Sequence, residues 1–339
     1  MTAIGHFART ASRFVPAALA RPLAGATAVF FHGVERGTVE PQLQSTQHAL
    51  EDFVEIAETL KRNHDVLPLG ELTRVLKNPQ RHKRAVFLMS DDGYANTLTN
   101  AADVLADHKL PWTLFVSSYH IDTGDLVPLL TARTFFEAAP AGRYNIPNLG
   151  AITLNFDRTM VSLRVCETLK TLDAVRAREA LVAMKEILSR VGKDNIAQRC
   201  PSECFLTWPQ VAALKKRGVE IGAHADTHWA MHGGQSDSYL RLQAERPKQR
   251  IESEIGRCRY FAYPFGNRGD IGEKAWRAVR DAGYEYAFTT IAGTLDASTN
   301  PWLLPRYGLS SRESSLSSVL PMMRANNARL RQWQSRIGT

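Results

Sequence analysis

The chain of 339 residues lacks any run of about 18 uncharged apolar residues, the length that an α-helix needs to cross a membrane. It also lacks internal repeats and low-complexity segments, which points to a globular protein and not to a repeat architecture. Cysteine is scarce, with four residues, and the close pair Cys200 and Cys204 has no second pair with which to form a structural zinc site. We therefore expect reduced thiols with structural roles.

A cleavable signal peptide is not expected either. The stretch FVPAALARPLAGATAVFFHGV (14–34) is interrupted by Arg21 and runs into the first predicted strand, so cleavage would cut into the fold. These features favour a cytoplasmic protein over a secreted one.

Acidic residues are missing from both ends of the chain. The formal net charge of the whole chain is +8. Residues 1–34 and 314–339 contain arginines but no Asp or Glu, and both carry apolar residues at helical spacing. Such ends can lie on an anionic membrane surface, or they can be helices packed on the body with their arginines in water. We assign the net charge itself to solubility and expect no nucleic-acid partner. The apolar positions are Phe7, Phe14, Leu19 and Leu23 in the first segment and Leu320, Met323, Leu330 and Trp333 in the second.

Short apolar runs alternate with helical patterns along most of the chain, which predicts βα units and a mainly parallel sheet. Residues 125–205 break this rhythm and are too long for a loop without structure of its own, so we interpret them as a cap inserted over the barrel mouth. The predicted segments are a basic N-terminal segment (1–26), a barrel (27–310) and a basic C-terminal helix (311–339). The predicted strands are 27–31, 85–89, 112–117, 219–223, 260–263, 284–290 and 303–309, and the predicted helices are 49–63, 96–108, 173–191, 208–218 and 272–283.

Two adjacent carboxylates, Asp91 and Asp92, follow the predicted strand 85–89. In a parallel α/β sheet, functional sites lie at the carboxyl ends of strands. Neighbouring side chains of an extended chain point in different directions, so one acid can bind a metal while the other stays free as a base. Taken alone, Asp-Gly is also a common turn.

A pair of histidines, His224 and His228, follows the strand 219–223 four residues apart. On one turn of helix or in a tight loop, such side chains point the same way. Two imidazoles and one carboxylate form a three-ligand site typical of hydrolytic zinc. A third motif, YPFG (263–266), sets up a tight turn after strand 260–263, where a backbone N–H can stabilise an oxyanion.

Together these motifs resemble the polysaccharide deacetylases, the NodB-homology family of carbohydrate esterases. MSDDG (89–93) corresponds to the family motif T-F-D-D-G, HADTH (224–228) to H-[ST]-x-x-H, and AYPFG (262–266) to R-x-P-[YF]-G. The resemblance is strongest to the poly-N-acetylglucosamine deacetylase branch. It implies a distorted (β/α)7 barrel and one divalent metal, zinc in most members, with cobalt, manganese or nickel as alternatives.

The resemblance also implies residue roles. Asp91 corresponds to the general base, Asp92, His224 and His228 correspond to the metal ligands, and the backbone N–H of Phe265 corresponds to the oxyanion donor. The general chemistry agrees, because a metal acidifies water and polarises an amide carbonyl while a neighbouring carboxylate accepts the proton.

Three departures from the family motifs matter. Ala225 replaces the usual Ser or Thr, and Thr227 is the candidate to brace the loop instead. Ala262 replaces the arginine that orients the catalytic aspartate, and Arg306 in LLPRYGL (303–309) is the candidate substitute. No histidine follows His232, so the family's late general acid has no counterpart.

The candidate general acid or substrate ligand is therefore His32 in VFFHGV (29–34), which matches a further histidine of the poly-N-acetylglucosamine branch. The alternative is a hydrogen-bonded histidine that caps the strand. Trp229 and Tyr263 are the candidate sugar contacts, and for Trp229 a packing role is the alternative.

The leading hypothesis is a metal-dependent N-deacetylase of an N-acetylated amino sugar. We expect its substrate to be a lipid-linked or nucleotide-linked saccharide of surface polysaccharide assembly. We expect the enzyme to act in the cytoplasm, at the inner face of the cell membrane. The alternatives are a deformylase or other amidase of a related sugar amide, and an inactive barrel that binds carbohydrate.

Overall fold

The computed structural model describes residues 26–37, 43, 46–155, 158–309 and 329–337. The basic N-terminal segment predicted for 1–26 therefore lies almost entirely outside the described residues, as does most of the segment 311–339. None of the described helices is both long and apolar enough to span a membrane.

Twelve strands form three sheets in the described part of the chain. The largest is an eight-stranded parallel sheet in the order β11-β10-β9-β6-β5-β1-β12, with β4 also paired to β5. The strands are β1 (Thr27–Phe31), β2 (Gly33–Glu35), β3 (Gln47–Ala49), β4 (Asp65–Val66), β5 (Ala85–Ser90), β6 (Trp112–Val116), β7 (Gly142–Ile146), β8 (Gly150–Leu154), β9 (Glu220–Ala223), β10 (Tyr260–Ala262), β11 (Tyr286–Phe288) and β12 (Tyr307–Gly308).

The large sheet curls until its two ends approach each other. Phe288 at the end of β11 bridges to Leu304, and the chain then runs three residues to β12, which pairs with β1. Side chains alternate across the sheet as strand geometry requires: Phe30, Phe87 and Phe115 belong to a core cluster inside the curl, whereas their chain neighbours pack against the surrounding helices. The curled sheet with its helices confirms the predicted distorted (β/α)7 barrel.

The five helices predicted within the barrel and cap are present as helical segments. Six further helices are not predicted by the sequence: Leu72–Lys77, Ser118–Thr123, Pro128–Ala138, Arg158–Thr171, Ile196–Arg199 and Asp237–Ile255. In the longest of these, Asp237–Ile255, many charged residues and the internal Pro247 obscure the helical period, although one face is buried. The helices are α1 (Leu50–Asn63), α2 (Leu72–Lys77), α3 (Ala102–Asp107), α4 (Ser118–Thr123), α5 (Pro128–Ala138), α6 (Arg158–Thr171), α7 (Ala174–Arg190), α8 (Ile196–Arg199), α9 (Trp208–Lys216), α10 (Asp237–Ile255), α11 (Glu273–Asp281) and α12 (329–336).

Between β6 and β9 the chain forms a cap from α5, the antiparallel hairpin β7–β8, α6 and α7. The cap has an apolar cluster of its own, with Phe135, Leu169 and Met184 fully buried. Trp229 from the barrel belongs to the same cluster, and Phe265 packs against it, so the cap contacts the two loops that carry the histidine motif and the YPFG turn.

The C-terminal helix α12 packs on the barrel through its apolar face. Leu330 and Trp333 are buried in the main core cluster, and the Gln334 side-chain amide donates a hydrogen bond to the Leu303 carbonyl at 3.0 Å. For this part of the C-terminal segment, the apolar side chains are therefore covered by the protein itself.

Candidate active site

The three sequence motifs meet at one end of the barrel because all the strands that carry them are parallel. Backbone hydrogen bonds fix each motif to a neighbouring strand end: Asp91 N–H donates to the Phe31 carbonyl and His224 N–H donates to the Val116 carbonyl. Tyr263 N–H donates to the Phe288 carbonyl in the same way. The site is thus built on the rigid carboxyl edge of the sheet.

Asp92, His224 and His228 form the one group of His, Cys, Asp and Glu side chains in the described residues that could hold a metal ion. Asp92 Oδ1 lies 3.3 Å from His224 Nε2 and 3.0 Å from His228 Nε2, and all three side chains are buried. Two ligand atoms about 2.0–2.1 Å from a tetrahedral ion would lie roughly 3.4 Å apart. The spacing and the oxygen-nitrogen-nitrogen donor set therefore fit zinc or a similar divalent ion.

Hydrogen bonding prepares these side chains as ligands. His224 Nδ1 lies 2.8 Å from the Ala262 carbonyl, so it carries the proton and leaves Nε2 with a free lone pair toward Asp92. Asp92 Oδ1 and His228 Nδ1 are buried without a hydrogen-bond partner. Burial alone would raise the pKa of Asp92, but His228 and His224 hold that pKa well below its usual value, so the carboxylate is ionised.

The loops of the site are held in strained backbone conformations. Asp92, Ala225, His228 and Phe265 have positive φ angles of 74°, 55°, 49° and 60°. Such conformations cost on the order of 1–3 kcal/mol each and persist only where the surrounding structure enforces them. All four lie in the three loops that carry the site motifs, so the surrounding structure fixes the backbone of the site.

Asp91 is clamped by Arg306. Arg306 Nη1 and Nη2 donate to the two carboxylate oxygens of Asp91 at 2.6 Å each, and Nε donates to the Thr289 carbonyl at 2.9 Å. The arginine is fully buried against the ring of Phe30 at 4.2 Å. Burial alone would raise the pKa of Asp91, but Arg306 and His224 hold it below its usual value. Ala262 stands where the family motif has the arginine that orients the catalytic aspartate. In the structure Arg306 occupies that role, because it binds Asp91.

The loop that carries the histidines is braced by Gln243, which the sequence analysis did not single out. Its Oε1 accepts hydrogen bonds from the backbone N–H groups of Asp226 and Thr227 and from the Thr227 hydroxyl, at 3.0–3.1 Å. The Thr227 hydroxyl also lies 3.0 Å from the Tyr239 hydroxyl. Thr227 thus braces the loop in which Ala225 supplies no hydroxyl.

His32 and Phe265 lie at the same centre. His32 is half-buried, and its ring interacts electrostatically with Asp92 and Asp91; burial nevertheless lowers its pKa, so the resting imidazole is neutral. The Phe265 ring lies edge-on to the ring of His228, with centroids 5.2 Å apart. The Phe265 carbonyl accepts a hydrogen bond from Thr290, which fixes the turn.

The two predicted sugar contacts need correction. Tyr263 is fully buried in the main core, and its hydroxyl donates to the Trp302 carbonyl at 3.0 Å, so it offers no face to a sugar. Trp229 is 3% exposed and packs in the cap cluster, so the alternative of a packing role is the one that the structure supports.

A buried polar cluster behind the metal ligands was also missed. The Tyr94 side chain interacts with the carboxylates of Asp92 and Glu203, and Gln47 Nε2 donates to Glu203 Oε1 at 3.0 Å. Glu203 is 1% exposed, and burial raises its pKa to about 7. In the sequence, Glu203 lies in CPSEC (200–204), a stretch in which only the two cysteines suggest a function. The sequence therefore did not predict a buried acid near the metal ligands.

The model of the family "Polysaccharide deacetylase" matches residues 145–287, which contain both histidines and the YPFG turn. Over these residues, less than half of the chain, the protein is similar to the polysaccharide deacetylase family, and this match supports a hydrolase of the carbohydrate N-deacetylase class. No curated protein matches the sequence.

Several solved structures share the fold. The deacetylase PplD of Streptococcus pyogenes is 14% identical, with a TM-score of 0.58 over 89% of this chain and 99% of that one. IcaB from Ammonifex degensii is 15% identical, with a TM-score of 0.54 over 88% and 97% of the two chains. A de-N-acetylase from Aggregatibacter actinomycetemcomitans is 16% identical, with a TM-score of 0.52 over 87% and 98%.

Proposed function

We propose that the protein is a metal-dependent N-deacetylase that removes the acetyl group of an N-acetylated amino sugar. The observation that carries this proposal is the pairing of an ionised, arginine-clamped Asp91 with the adjacent metal-ligand set Asp92, His224 and His228. One acid is committed to the ligand set, whereas the other faces the same centre from the Arg306 side, with its Oδ2 4.0 Å from His224 Nε2.

A divalent ion held by Asp92, His224 and His228 would act as a Lewis acid toward the amide carbonyl and toward water. Asp91 accepts the proton that water loses as its oxygen bonds to the carbonyl carbon. Arg306 keeps Asp91 ionised and oriented for this transfer. The Phe265 backbone N–H donates a hydrogen bond to the oxygen on which negative charge develops.

The second proton transfer goes to the nitrogen as the carbon–nitrogen bond breaks, and the products are acetate and a free amine. His32 is the proposed donor. Because burial lowers its pKa, His32 must first take up a proton during the reaction, and Asp91 and Asp92 provide the negative charge that stabilises the imidazolium.

The substrate that we propose is a lipid-linked or nucleotide-linked saccharide, processed in the cytoplasm at the inner face of the cell membrane. Support comes from residues 1–34 and 314–339, which contain arginines but no acidic residues and would favour an anionic membrane surface.

The test is an assay of acid release by the zinc-loaded protein with three substrate groups: nucleotide sugars, lipid-linked sugars and N-acetylglucosamine oligomers. We expect acetate from one of the first two groups, and release at least about 10²-fold slower from the Asp91→Asn protein at equal metal content. Release of formate in place of acetate, from an N-formyl analogue, would identify a deformylase. The absence of either acid from every substrate would contradict the proposed function.

A further inference from the structure

A cavity of about 780 Å³ lies between the cap and the barrel, and its lining contains none of the metal ligands. One wall is helix α7, and the opposite wall is formed by residues 119–131 and 194–197. We propose that this cavity binds the apolar chain and the adjoining anionic group of an amphiphile, the lipid carrier of the sugar that is deacetylated at the metal site. This inference rests on the proposed function and selects the lipid-linked class of substrate.

The wall formed by α7 presents an alternating stripe of apolar and cationic side chains. Val175, Arg178, Val182 and Lys185 are spaced by three, four and three residues, so they share one face of the helix, and all four line the cavity. Val175 is 69% exposed and Val182 is 48% exposed. Both line the cavity, so a ligand bound there would cover them. In the described part of the chain, neither Arg178 nor Lys185 forms a salt bridge. The stripe thus exposes apolar surface together with two cations that form no ion pair with a described residue, although Arg178 interacts electrostatically with Tyr119.

The opposite wall is mainly apolar, with Leu126, Pro128 and Ile196 among its residues. Of its two acids, Asp125 accepts a hydrogen bond from the Tyr119 hydroxyl at 2.8 Å and is therefore already engaged. Asp194 is the other acid of the lining. An aliphatic chain fits the apolar surface of both walls, and a phosphate group fits the cations of α7, which have no carboxylate partner among the described residues.

Three exposed apolar residues, Val175, Val182 and Leu242, line this cavity or the one beside it. Among the described residues, six large hydrophobic side chains are exposed, and five of them lie between positions 160 and 191 of the cap. The sixth, Leu242, lines a second cavity of about 560 Å³ that shares Val175 and Tyr239 with the first. Contiguous exposed apolar surface marks binding sites, whereas isolated exposed residues do not. The apolar track therefore extends beyond the first cavity, as a long chain requires.

The cavity adjoins the metal site through the histidine loop. Thr227 and Trp229 line the cavity and flank the ligand His228 in the sequence. His120, which lines the cavity from the other side, interacts electrostatically with His228 and Asp92. A carrier bound in the cavity would hold its sugar beside the strand ends where the metal ligands converge.

Binding is tested without turnover by titrating dodecyl phosphate, below its micellar concentration, into the full-length zinc-loaded protein in a calorimeter. We expect Val182→Asp to weaken binding by about tenfold or more, because a charge replaces apolar surface that the chain covers. The matched control is Leu163→Asp, which places the same charge on an exposed apolar position of the cap outside the cavity. No binding by the wild type, or equal weakening by both variants, would overturn the proposal.

The anionic group is tested with the double variant Arg178→Ala/Lys185→Ala. We expect weaker binding of dodecyl phosphate and unchanged binding of the uncharged dodecyl maltoside. An equal loss of affinity for both ligands would show that Arg178 and Lys185 do not recognise the phosphate group. It would overturn that part of the proposal.

The link to catalysis is tested with an N-acetylated amino sugar 1-phosphate that carries either a dodecyl or a methyl ester. For Val182→Asp we expect the ratio of kcat/KM between the dodecyl and methyl substrates to fall about tenfold, with no change of the ratio for Leu163→Asp. An unchanged ratio for Val182→Asp would overturn the role as carrier site. Absence of acetate from both substrates with the wild type would instead count against the proposed function, while the calorimetric result would still decide whether the cavity binds the amphiphile.

Discussion

Arg306 and Asp91, which are 215 residues apart in the sequence, form two parallel hydrogen bonds of 2.6 Å. The guanidinium matches the carboxylate in shape, and its third donor is fixed on the Thr289 carbonyl. This geometry stabilises the charged form of a buried acid at the position where the proposed reaction needs a base. It also means that Asp91 must share an oxygen between the arginine and the proton that it accepts.

We expect Asp91→Asn to lower the rate of acetate release by about 10²–10⁴-fold, the usual contribution of a general base. Metal content should stay the same, because Asp91 is not among the ligand atoms that converge. The measurements are initial rates and metal analysis of the same preparation. Asp103→Asn, in an exposed ion pair with Arg217, is the control and should leave the rate unchanged. A fully active Asp91→Asn protein would rule out the assignment of the base.

We expect Arg306→Met to destabilise the fold by about 3–5 kcal/mol, because Asp91 would remain buried without its counter-charge. The double variant Arg306→Met/Asp91→Asn removes that charge and should recover part of the loss. Urea unfolding of both proteins provides the comparison. The prediction fails if the single variant is at least as stable as the double variant. In the single variant the pKa of Asp91 should also rise, which moves the acidic limb of the kcat/KM profile to higher pH.

The sequence was sufficient to predict the barrel and the ligand set because both depend on local patterns. Apolar strands that are recognisable in the sequence precede the site residues Asp91, Asp92, His224 and His228. Because these strands are parallel, their carboxyl ends lie together. Arg306 was predictable for the same reason, since it lies at the seam between β11 and β12.

Side-chain direction and long-range partners were not predictable in the same way. Tyr263 and Trp229 stand next to site residues in the sequence but point into the core and into the cap, and the direction depends on packing that no local pattern encodes. Gln243 and Glu203 reach the site from elements with no motif, and each is defined only by the partners that it meets in the fold.

We expect zinc to raise the thermal stability of the metal-free protein, because an ion that binds only the folded state stabilises it by mass action. At free zinc about 100-fold above the dissociation constant, the gain is about 2.7 kcal/mol. His228→Ala should abolish the shift, whereas His82→Ala, at a histidine outside the ligand set, should retain it. The checks are thermal unfolding at graded zinc and a calorimetric dissociation constant. An equal zinc-induced shift in wild type and His228→Ala would place the metal elsewhere.

The buried Glu203 gives stability a dependence on pH with a definite sign. Burial raises its pKa from 4.5 to about 7, so between these values the folded protein holds a proton that the unfolded chain has lost. Stability must therefore fall as pH rises through this interval, by on the order of 3 kcal/mol for a shift of this size. Glu203→Gln cannot titrate, and its amide can still bond to Gln47, so this part of the fall should disappear.

The measurement is urea unfolding of the wild type and Glu203→Gln at pH 5, 6, 7 and 8. The free energy of unfolding of the variant, relative to the wild type, should increase across this series, with most of the change between pH 5 and 7. Glu245→Gln, at an exposed position of α10, serves as the control and should follow the wild type at every pH. Parallel curves for Glu203→Gln and the wild type would mean that Glu203 is already ionised in the folded protein. In that case the cluster with Tyr94 and Gln47 would carry a negative charge behind Asp92, and loss of that charge in Glu203→Gln would weaken zinc binding, which the same calorimetric titration measures.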